Sequence, residues 1–285
     1  MARPAPAVDR TVALLNFMSL HPDDPWSLSE LARRLDLNKA TAHAMLTALT
    51  DAGYVLRHPV DKTFTLGPAV IAVGNAAAVR QYEVVDFARG EMQALADEIG
   101  VRCIASAAIG EEIVFLAASG DPQPFGLHIQ VGARLPLVPP LGTVFVAWSS
   151  PDEIDEWLRR LGPNATEDEL QRFRDVVVTV RQRGYSLGLE VPAARGLMTP
   201  EGDRRRAFNE LGHNEYVLLE LEHSASYRLS HVAAPVFGPD GRVALSLNLM
   251  GFRHELRAEQ VPELAARVTE ATGRVTKAIH GKPPA

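Results

Sequence analysis

The chain has 285 residues, 46% of them apolar and 22% charged, with a net charge of -6 and one cysteine. Such proportions fit a folded globular protein with room for a small and a larger domain, and they argue against disorder. No run approaches the roughly 18 apolar residues of a membrane span. The start Met1-Ala-Arg-Pro-Ala-Pro6 lacks a signal peptide's apolar core, and a single cysteine excludes an internal disulfide and a multi-cysteine zinc site, so a cytoplasmic protein without membrane partners is expected. The acidic excess opposes phosphate binding but is uneven: residues 1–80 carry 8 Lys and Arg against 7 Asp and Glu, residues 81–285 carry 21 against 28.

Val8 to Leu20 places Val12, Leu14, Leu15 and Met18 at spacings of three and four, which predicts an amphipathic helix. After His21-Pro-Asp-Asp-Pro25, Ser27-Leu-Ser-Glu30 reads as a capping box for a short second helix with a stripe of Leu28, Leu31, Ala32 and Leu35. Asp36-Leu37 leaves room only for a tight turn before Asn38, an N-cap for a third helix whose stripe is Ala42, Met45, Leu46 and Leu49. Two short helices joined so tightly make a helix-turn-helix.

With that stripe inward, Ala40, His43, Ala44 and Thr47 share the outer face. Alanines permit close approach and can touch a thymine methyl, while Thr47 and His43 can hydrogen-bond base edges. Lys39 and Thr41 flank the face near the helix start, where phosphate contacts fall; Asp51, near the far end, is expected to point away from the groove. Gly53 ends the helix, and Tyr54–His58 with Lys62–Leu66 around Pro59-Val-Asp61 predicts a hairpin wing that offers Arg57, His58 and Lys62 to the DNA backbone or minor groove. The plain alternative is a structural or protein-binding module of the same shape.

The runs Ser27-Leu-Ser-Glu-Leu-Ala-Arg-Arg-Leu35, Asn38-Lys-Ala-Thr-Ala-His43, Ala52-Gly-Tyr-Val55 and Phe64-Thr-Leu-Gly67 resemble the isocitrate lyase regulator (IclR) family, in which a winged helix-turn-helix precedes a ligand-sensing domain. Arg183-Gly-Tyr185, Val232-Ala-Ala-Pro-Val236 and Asp240-Gly-Arg242 extend the resemblance over nearly the whole chain. It implies a homodimer or dimer of dimers that binds a double-stranded DNA operator and a small-molecule effector, with no cofactor.

Pro68 to Tyr82 is rich in apolar residues at helical spacing, including Val70, Val73, Ala77 and Ala78. It reads either as a coupling and dimerisation helix or as a helix packed on its own domain. Beyond it the spacing predicts a helix to Ile99, strands at Arg102–Ala107, Glu112–Ala118 and Phe125–Val131, helices at Leu141–Trp148, Asp152–Leu161 and Glu167–Arg183, and strands at His231–Phe237 and Arg242–Met250 around Gly238-Pro-Asp-Gly241. A helix over Ala258–Ile279 closes the chain. The order indicates an antiparallel α+β domain; the resemblance implies a GAF-like effector-binding fold. The expected domains are 1–67, a linker helix at 68–82, and 83–285 with an insertion at 191–230, which holds a helix over Thr199–Leu211, the run Arg204-Arg-Arg206, and a strand over Asn214–Glu222.

Carried over from the resemblance, the ligand cup falls on Pro140, Leu141, Gly142, His231, Asn248 and Met250. Pro-Pro-Leu before Gly142, Thr143 in place of a lysine, and Asn248 with Met250 in place of serines depart from linings suited to short carboxylates. Such an apolar, adaptable lining fits a larger and less charged ligand, though Leu141 and Met250 can equally be core residues. An enzyme is disfavoured because no His-Glu-x-x-His, Gly-x-Ser-x-Gly, Walker or Gly-x-Gly-x-x-Gly pattern appears, and Cys103 in a strand reads as a small buried hydrophobe. A sensor that acts through a protein partner, with a degenerate winged domain, is the third reading.

Overall fold

The computed structural model describes residues 5–19, 21, 24–81, 83–121, 129–191 and 216–284. The chain divides into two compact units, Met1–Tyr82 and Glu83–Ala285.

In the first unit α1 (Pro6–Ser19), α2 (Leu28–Arg34) and α3 (Lys39–Asp51) precede a hairpin of β1 (Val55–Arg57) and β2 (Phe64–Leu66), then α4 (Pro68–Gln81). Ser27 and Glu30 form the reciprocal capping box, and the Asn38 side chain accepts from the Thr41 amide at 2.7 Å. Capping satisfies amide donors that a helix start leaves open, which lets α3 begin after only four residues, Leu35–Asn38, beyond the end of α2. Leu14, Met18, Leu31, Leu46, Val55 and Phe64 form the core. Val12, expected inward, is 50% exposed. Its spacing suits the helix, but Leu14 and Met18, one turn apart, define the face that packs. Trp26 exchanges backbone hydrogen bonds with Phe64 at 3.0 and 2.7 Å, adding a third short segment to the wing.

The second unit is built on one six-stranded antiparallel sheet, order β5-β4-β3-β9-β8-β6, from β3 (Arg102–Ile109), β4 (Glu112–Ser119), β5 (Arg134–Pro136), β6 (Ser186–Leu189), β8 (Leu229–Phe237) and β9 (Val243–Met250). A two-stranded ribbon pairs β7 (Ser226–Tyr227) with β10 (Leu256–Arg257). Period-two alternation divides the sheet into two faces. Cys103, Ala105, Val232, Ala234, Leu245, Leu247 and Leu249 bury one face, where α5 (Glu83–Ile99) and α9 (Gln260–Ala278) pack. Arg267 and Arg274 on α9 pair with Glu98 and Glu91 on α5. The other face carries Ile104, Phe115, Ile113 and Met250 in a core shared with α6 (Thr143–Val146), α7 (Pro151–Arg159) and α8 (Glu167–Arg183). This antiparallel α+β sheet with helices on both faces agrees with the fold class read from the sequence.

Several expected elements change. The helix expected over Leu141–Trp148 shrinks to Thr143–Val146, because Gly142 sits at φ 76°, left-handed backbone that cannot continue a helix. Strand Phe125–Val131 falls partly outside the described residues; Ile129–Val131 are not strand, although Ile129 is buried, and β5 pairs with β4 instead. The Thr199–Leu211 helix and the Arg204-Arg-Arg206 run lie outside the described residues. Of Asn214–Glu222, residues 216–222 are described: Val217 bridges Gly188, with backbone bonds Leu189 N to Tyr216 O at 2.8 Å and Leu218 N to Leu187 O at 3.0 Å. Residues 216–218 therefore line the edge of β6.

Candidate functional site

Two sites take shape, one in each unit. On α3 the expected face is open to solvent: Lys39, Ala40, His43, Ala44 and Thr47 are exposed and Thr41 is half-buried. His43 and Thr47, with Arg57 and Lys62 from the hairpin, line one hollow of about 430 Å³ floored by Phe64. Lys39, Ala40 and Ala44 lie outside that hollow, farther round the exposed surface of the helix. Asp51, expected to point away from the groove, is exposed and lines the hollow together with Asp61, beside the hairpin. The Thr47 hydroxyl donates to the His43 carbonyl at 2.9 Å, leaving its lone pairs as acceptors. Arg57 stacks over the Phe64 ring at 5.8 Å, which holds the guanidinium beside the helix.

The wing turn is held by its own side chains. His58 Nδ1 is 2.9 Å from an Asp61 carboxylate oxygen, and Lys62 Nζ donates to the Pro59 carbonyl. Lys62 adopts φ 57°, the left-handed region disfavoured for a residue with a Cβ. All three remain exposed.

In the second unit Leu141, Gly142, His231, Asn248 and Met250 converge on one cavity of about 70 Å³, joined by Ser106, Phe115, Thr143, Ser186 and Tyr216. Pro140, expected among them, is buried behind the loop, where its carbonyl accepts from the Thr143 hydroxyl at 2.9 Å. Antiparallel register explains the convergence: Met250 faces His231, Asn248 faces Ala233 and Ile104, and Gly188 faces His231, so these side chains share one side of the sheet. The Asn248 amide nitrogen lies 3.0 Å from both the Ile104 carbonyl and the Ser106 hydroxyl, which fixes its orientation.

His231 Nδ1 is 3.1 Å from Ser230 Oγ and 3.4 Å from the Tyr216 hydroxyl. Burial, and then the nearby Arg183 charge, push the imidazole down to about 4, so it is neutral near pH 7. Burial also raises the Tyr216 phenol above its ordinary value. Arg183 donates to the carbonyls of Tyr185 at 2.6 Å and Leu218 at 2.7 Å, so the Arg-Gly-Tyr run pins the segment that carries Tyr216. Gly188 admits the histidine: a Cβ there would drive into the His231 ring and the Ser230 hydroxyl. Ser106, Ser186, Tyr216 and Gly188 were not singled out from sequence. Ser106 and Gly188 become identifiable only through strand register, and Tyr216 lies within the expected insertion.

Cys103, buried with its thiol raised to about 12, packs on the opposite side of the sheet from the cavity. Among the described residues no group of three or more His, Cys, Asp or Glu could hold a metal ion, and no helix is long and apolar enough to cross a membrane.

The first unit is a capped helix-turn-helix with a hairpin wing, and the second is an antiparallel sheet with a cavity on one face. Residues 7–59 match the profile of the IclR helix-turn-helix domain. The chain is 27% identical over 215 residues to the glycerol operon regulatory protein of Streptomyces griseus, covering 72% of this chain and 82% of that one. It is 20% identical to the transcriptional regulator KipR of Bacillus subtilis, over 95% of this chain and 96% of that one. Among solved structures, an IclR regulator from Alicyclobacillus acidocaldarius superposes with a TM-score of 0.69 at 21% identity, covering 98% of this chain and all of that one. An IclR homologue from Microbacterium hydrocarbonoxydans complexed with 4-hydroxybenzoate gives 0.63 at 17%, over 96% of this chain and 98% of that one. Residues 7–59 are thus similar to the helix-turn-helix domain of the IclR family, and the matched full-length proteins bear the names of transcriptional regulators.

Proposed function

We propose that the protein binds an operator through α3 and the wing, and that a small molecule in the second unit's cavity alters that binding. The observation that carries the reading is the hollow shared by His43, Thr47, Arg57 and Lys62, which presents base-reading and phosphate-binding chemistry side by side. His43, Thr47, Ala40 and Ala44 contact base edges; Lys39, Thr41, Arg57, His58 and Lys62 contact the backbone or minor groove. Asp51 and Asp61 in the same hollow repel phosphate, so a single unit binds weakly and two copies are needed. Ile71 and Val73 on α4, 65% and 53% exposed, offer an apolar surface for pairing. Two paired units would read half-sites one helical turn apart, roughly 34–36 Å.

The effector occupies the cavity lined by Leu141, Gly142, His231, Asn248 and Met250, with Pro140 supporting the loop. No ionised side chain is among the lining residues, and His231 is neutral, so the buried part of the effector carries no net charge. A volume of about 70 Å³ is far below the roughly 300–1,000 Å³ of sites for drug-sized ligands. The larger ligand expected from sequence therefore requires the cavity to open, and the flexible Met250 thioether is the side chain suited to give way. To shift operator occupancy the effector must favour one DNA-binding state, commonly by ~1–3 kcal/mol.

Footprinting of the full-length protein on the DNA around its own gene, with and without candidate metabolites, tests this reading. A protected site whose occupancy changes with one metabolite is expected. No protection even at low salt would end the reading; protection insensitive to every metabolite would remove its effector half.

A further inference from the structure

A groove of about 690 Å³ lies at one end of the second unit's sheet, bordered by α6, α7 and the turn between β8 and β9. Its lining overlaps that of the proposed effector cavity only at Phe145. Trp148 stands half-buried on its wall, edge-on to the Phe237 ring at 5.2 Å between centroids. Trp157, buried in the same wall, donates its indole N–H to the Leu141 carbonyl at 3.2 Å. Among the described residues no acceptor meets the Trp148 N–H, and that nitrogen is not enclosed, so the donor is open to an arriving ligand. An indole with a free edge offers an apolar face and one hydrogen-bond donor side by side. A proline ring and the backbone carbonyl next to it match both.

The rim of the groove is acidic. Glu153 and Glu156 on α7 line it together with Asp240 from the turn, against Arg160 and Arg242. Arg242 meets Glu153 at 2.8 Å, and Arg160 stands 3.9 Å from Glu156. Asp240 accepts from the Arg242 amide at 3.0 Å and has no cationic partner among the described residues. A ligand that brings a cation to this rim is therefore favoured.

The chain itself lays a segment of matching chemistry against the wall. Beyond α9, Gly281 passes so close to β8 that a Cβ would strike the Phe237 carbonyl. Its amide donates to the Thr276 carbonyl at 2.7 Å, and the Lys282 amide donates to the Gly238 carbonyl at 3.2 Å. Lys282-Pro283-Pro284 then passes Gly241, and Pro284 lines the groove while leaving the volume beside it open. Consecutive prolines favour the extended polyproline II form, which docks on aromatic-lined grooves with little loss of conformational entropy.

We propose that this groove is a docking site for a partner protein that presents a proline-rich segment bearing lysine or arginine. The partner's proline rings pack on Trp148, one of its backbone carbonyls accepts the indole N–H, and its cation meets Asp240 and Glu156. The interaction is independent of which molecule fills the effector cavity.

The test uses the full-length protein and three synthetic peptides blocked at both ends, made of repeated Lys-Pro-Pro, Lys-Gly-Gly or Glu-Pro-Pro units. Binding is followed by calorimetry and by tryptophan fluorescence. The Lys-Pro-Pro peptide is expected to bind about tenfold or more tightly than either control, since one control shares its charge and the other its stiffness. Trp148→Phe keeps a ring and removes the donor; it should weaken that peptide by about tenfold and abolish the fluorescence change. Glu156→Gln combined with Asp240→Asn should bring the Lys-Pro-Pro and Glu-Pro-Pro peptides to one level, and unliganded melting temperatures show whether each variant is folded. No binding of the Lys-Pro-Pro peptide, equal binding of the Lys-Gly-Gly peptide, or a preference that survives either variant overturns the proposal. Binding that appears only after Pro283→Ser and Pro284→Ser also overturns it, because the groove would then belong to the chain's own segment rather than to a partner.

Discussion

The proposed DNA-reading surface and the proposed effector cavity solve opposite problems with polar side chains. On the exposed face of α3 the polar side chains are partly satisfied locally, Asn38 by the Thr41 amide and Thr47 on the His43 carbonyl. In the cavity the polar side chains of Ser106, Thr143, Ser186 and Tyr216 are buried, and elsewhere in the second unit Arg102 Nε, Arg183 Nη2 and Ser246 Oγ are buried without a hydrogen-bond partner. An exposed surface can wait for its ligand at little cost, because water substitutes for it. An enclosed site cannot, so its stability should depend on what occupies it and on pH in a way that the DNA-reading surface does not share.

The strongest way to break this contrast is to remove one unit. Leu46 is 1% exposed, packed with Leu14, Leu31 and Val55. Leu46→Ala should cost about 2–5 kcal/mol, a large share of a small unit's stability. DNA retardation should disappear while calorimetry still shows the melting transition of the second unit. Loss of both transitions together would mean that the two units do not fold independently.

The next effect belongs to pH. His231 has its folded pKa near 4 against about 6.5 in an unfolded chain. Between those values the unfolded chain takes up a proton that the folded one refuses. Stability is thus complete above about 6.5 and is lost as pH falls toward 4, by at most about 3 kcal/mol. The groups facing the ring are Arg183, Tyr216 and Ser230, so the histidine itself is the titrating member over that range. Melting of the second unit from pH 7 to 4 should steepen in the wild type and flatten in His231→Gln; identical slopes would show that another group controls acid loss.

Gly188→Ala probes the same place by shape. Its new Cβ would strike the His231 ring, and overpacking of this kind costs about 1–3 kcal/mol. Ligand response should be lost or weakened while operator binding without ligand persists. A variant that keeps full response would show that the position of the His231 ring does not matter to the cavity.

The two regions also differ in how far they could be read from the chain. The inward stripe of α3, its Asn38 cap and the exposure of His43 and Thr47 depend on neighbours within one or two turns, which a 3.6-residue period captures. That Asp51 shares a hollow with Arg57 and Lys62 was less legible, because the hairpin that supplies them follows the helix and is not part of its period. Val12 shows a related limit, since adjacent apolar stripes on one helix look alike until a partner selects one. In the second unit Leu141, Gly142, His231, Asn248 and Met250 were reached only through resemblance to a family, not through periodicity. Ser106 and Gly188 were missed because they meet Asn248 and His231 by strand register, across 142 residues for Ser106 and Asn248. A β-strand's sequence specifies which residues share its face but not which strand lies beside it.

The smallest expected effects are on the DNA surface, where single contacts are exposed. Thr47 already donates its hydroxyl proton to His43, so toward DNA it acts as an acceptor, suited to an exocyclic amino group such as cytosine N4 or adenine N6. Thr47→Ala should therefore alter preference between bases at one position of each half-site, by about 1–3 kcal/mol at most. Lys62 bends toward the Pro59 carbonyl at the wing tip and carries charge rather than a base-specific pattern. Lys62→Ala should weaken all sequences alike and reduce the slope of log affinity against log salt by about one. Competition binding against a library of half-sites, repeated at two salt concentrations, separates the two. If Thr47→Ala lowered affinity uniformly, as Lys62→Ala should, α3 would present a different face to the bases and the hollow between helix and wing would hold the phosphate backbone alone.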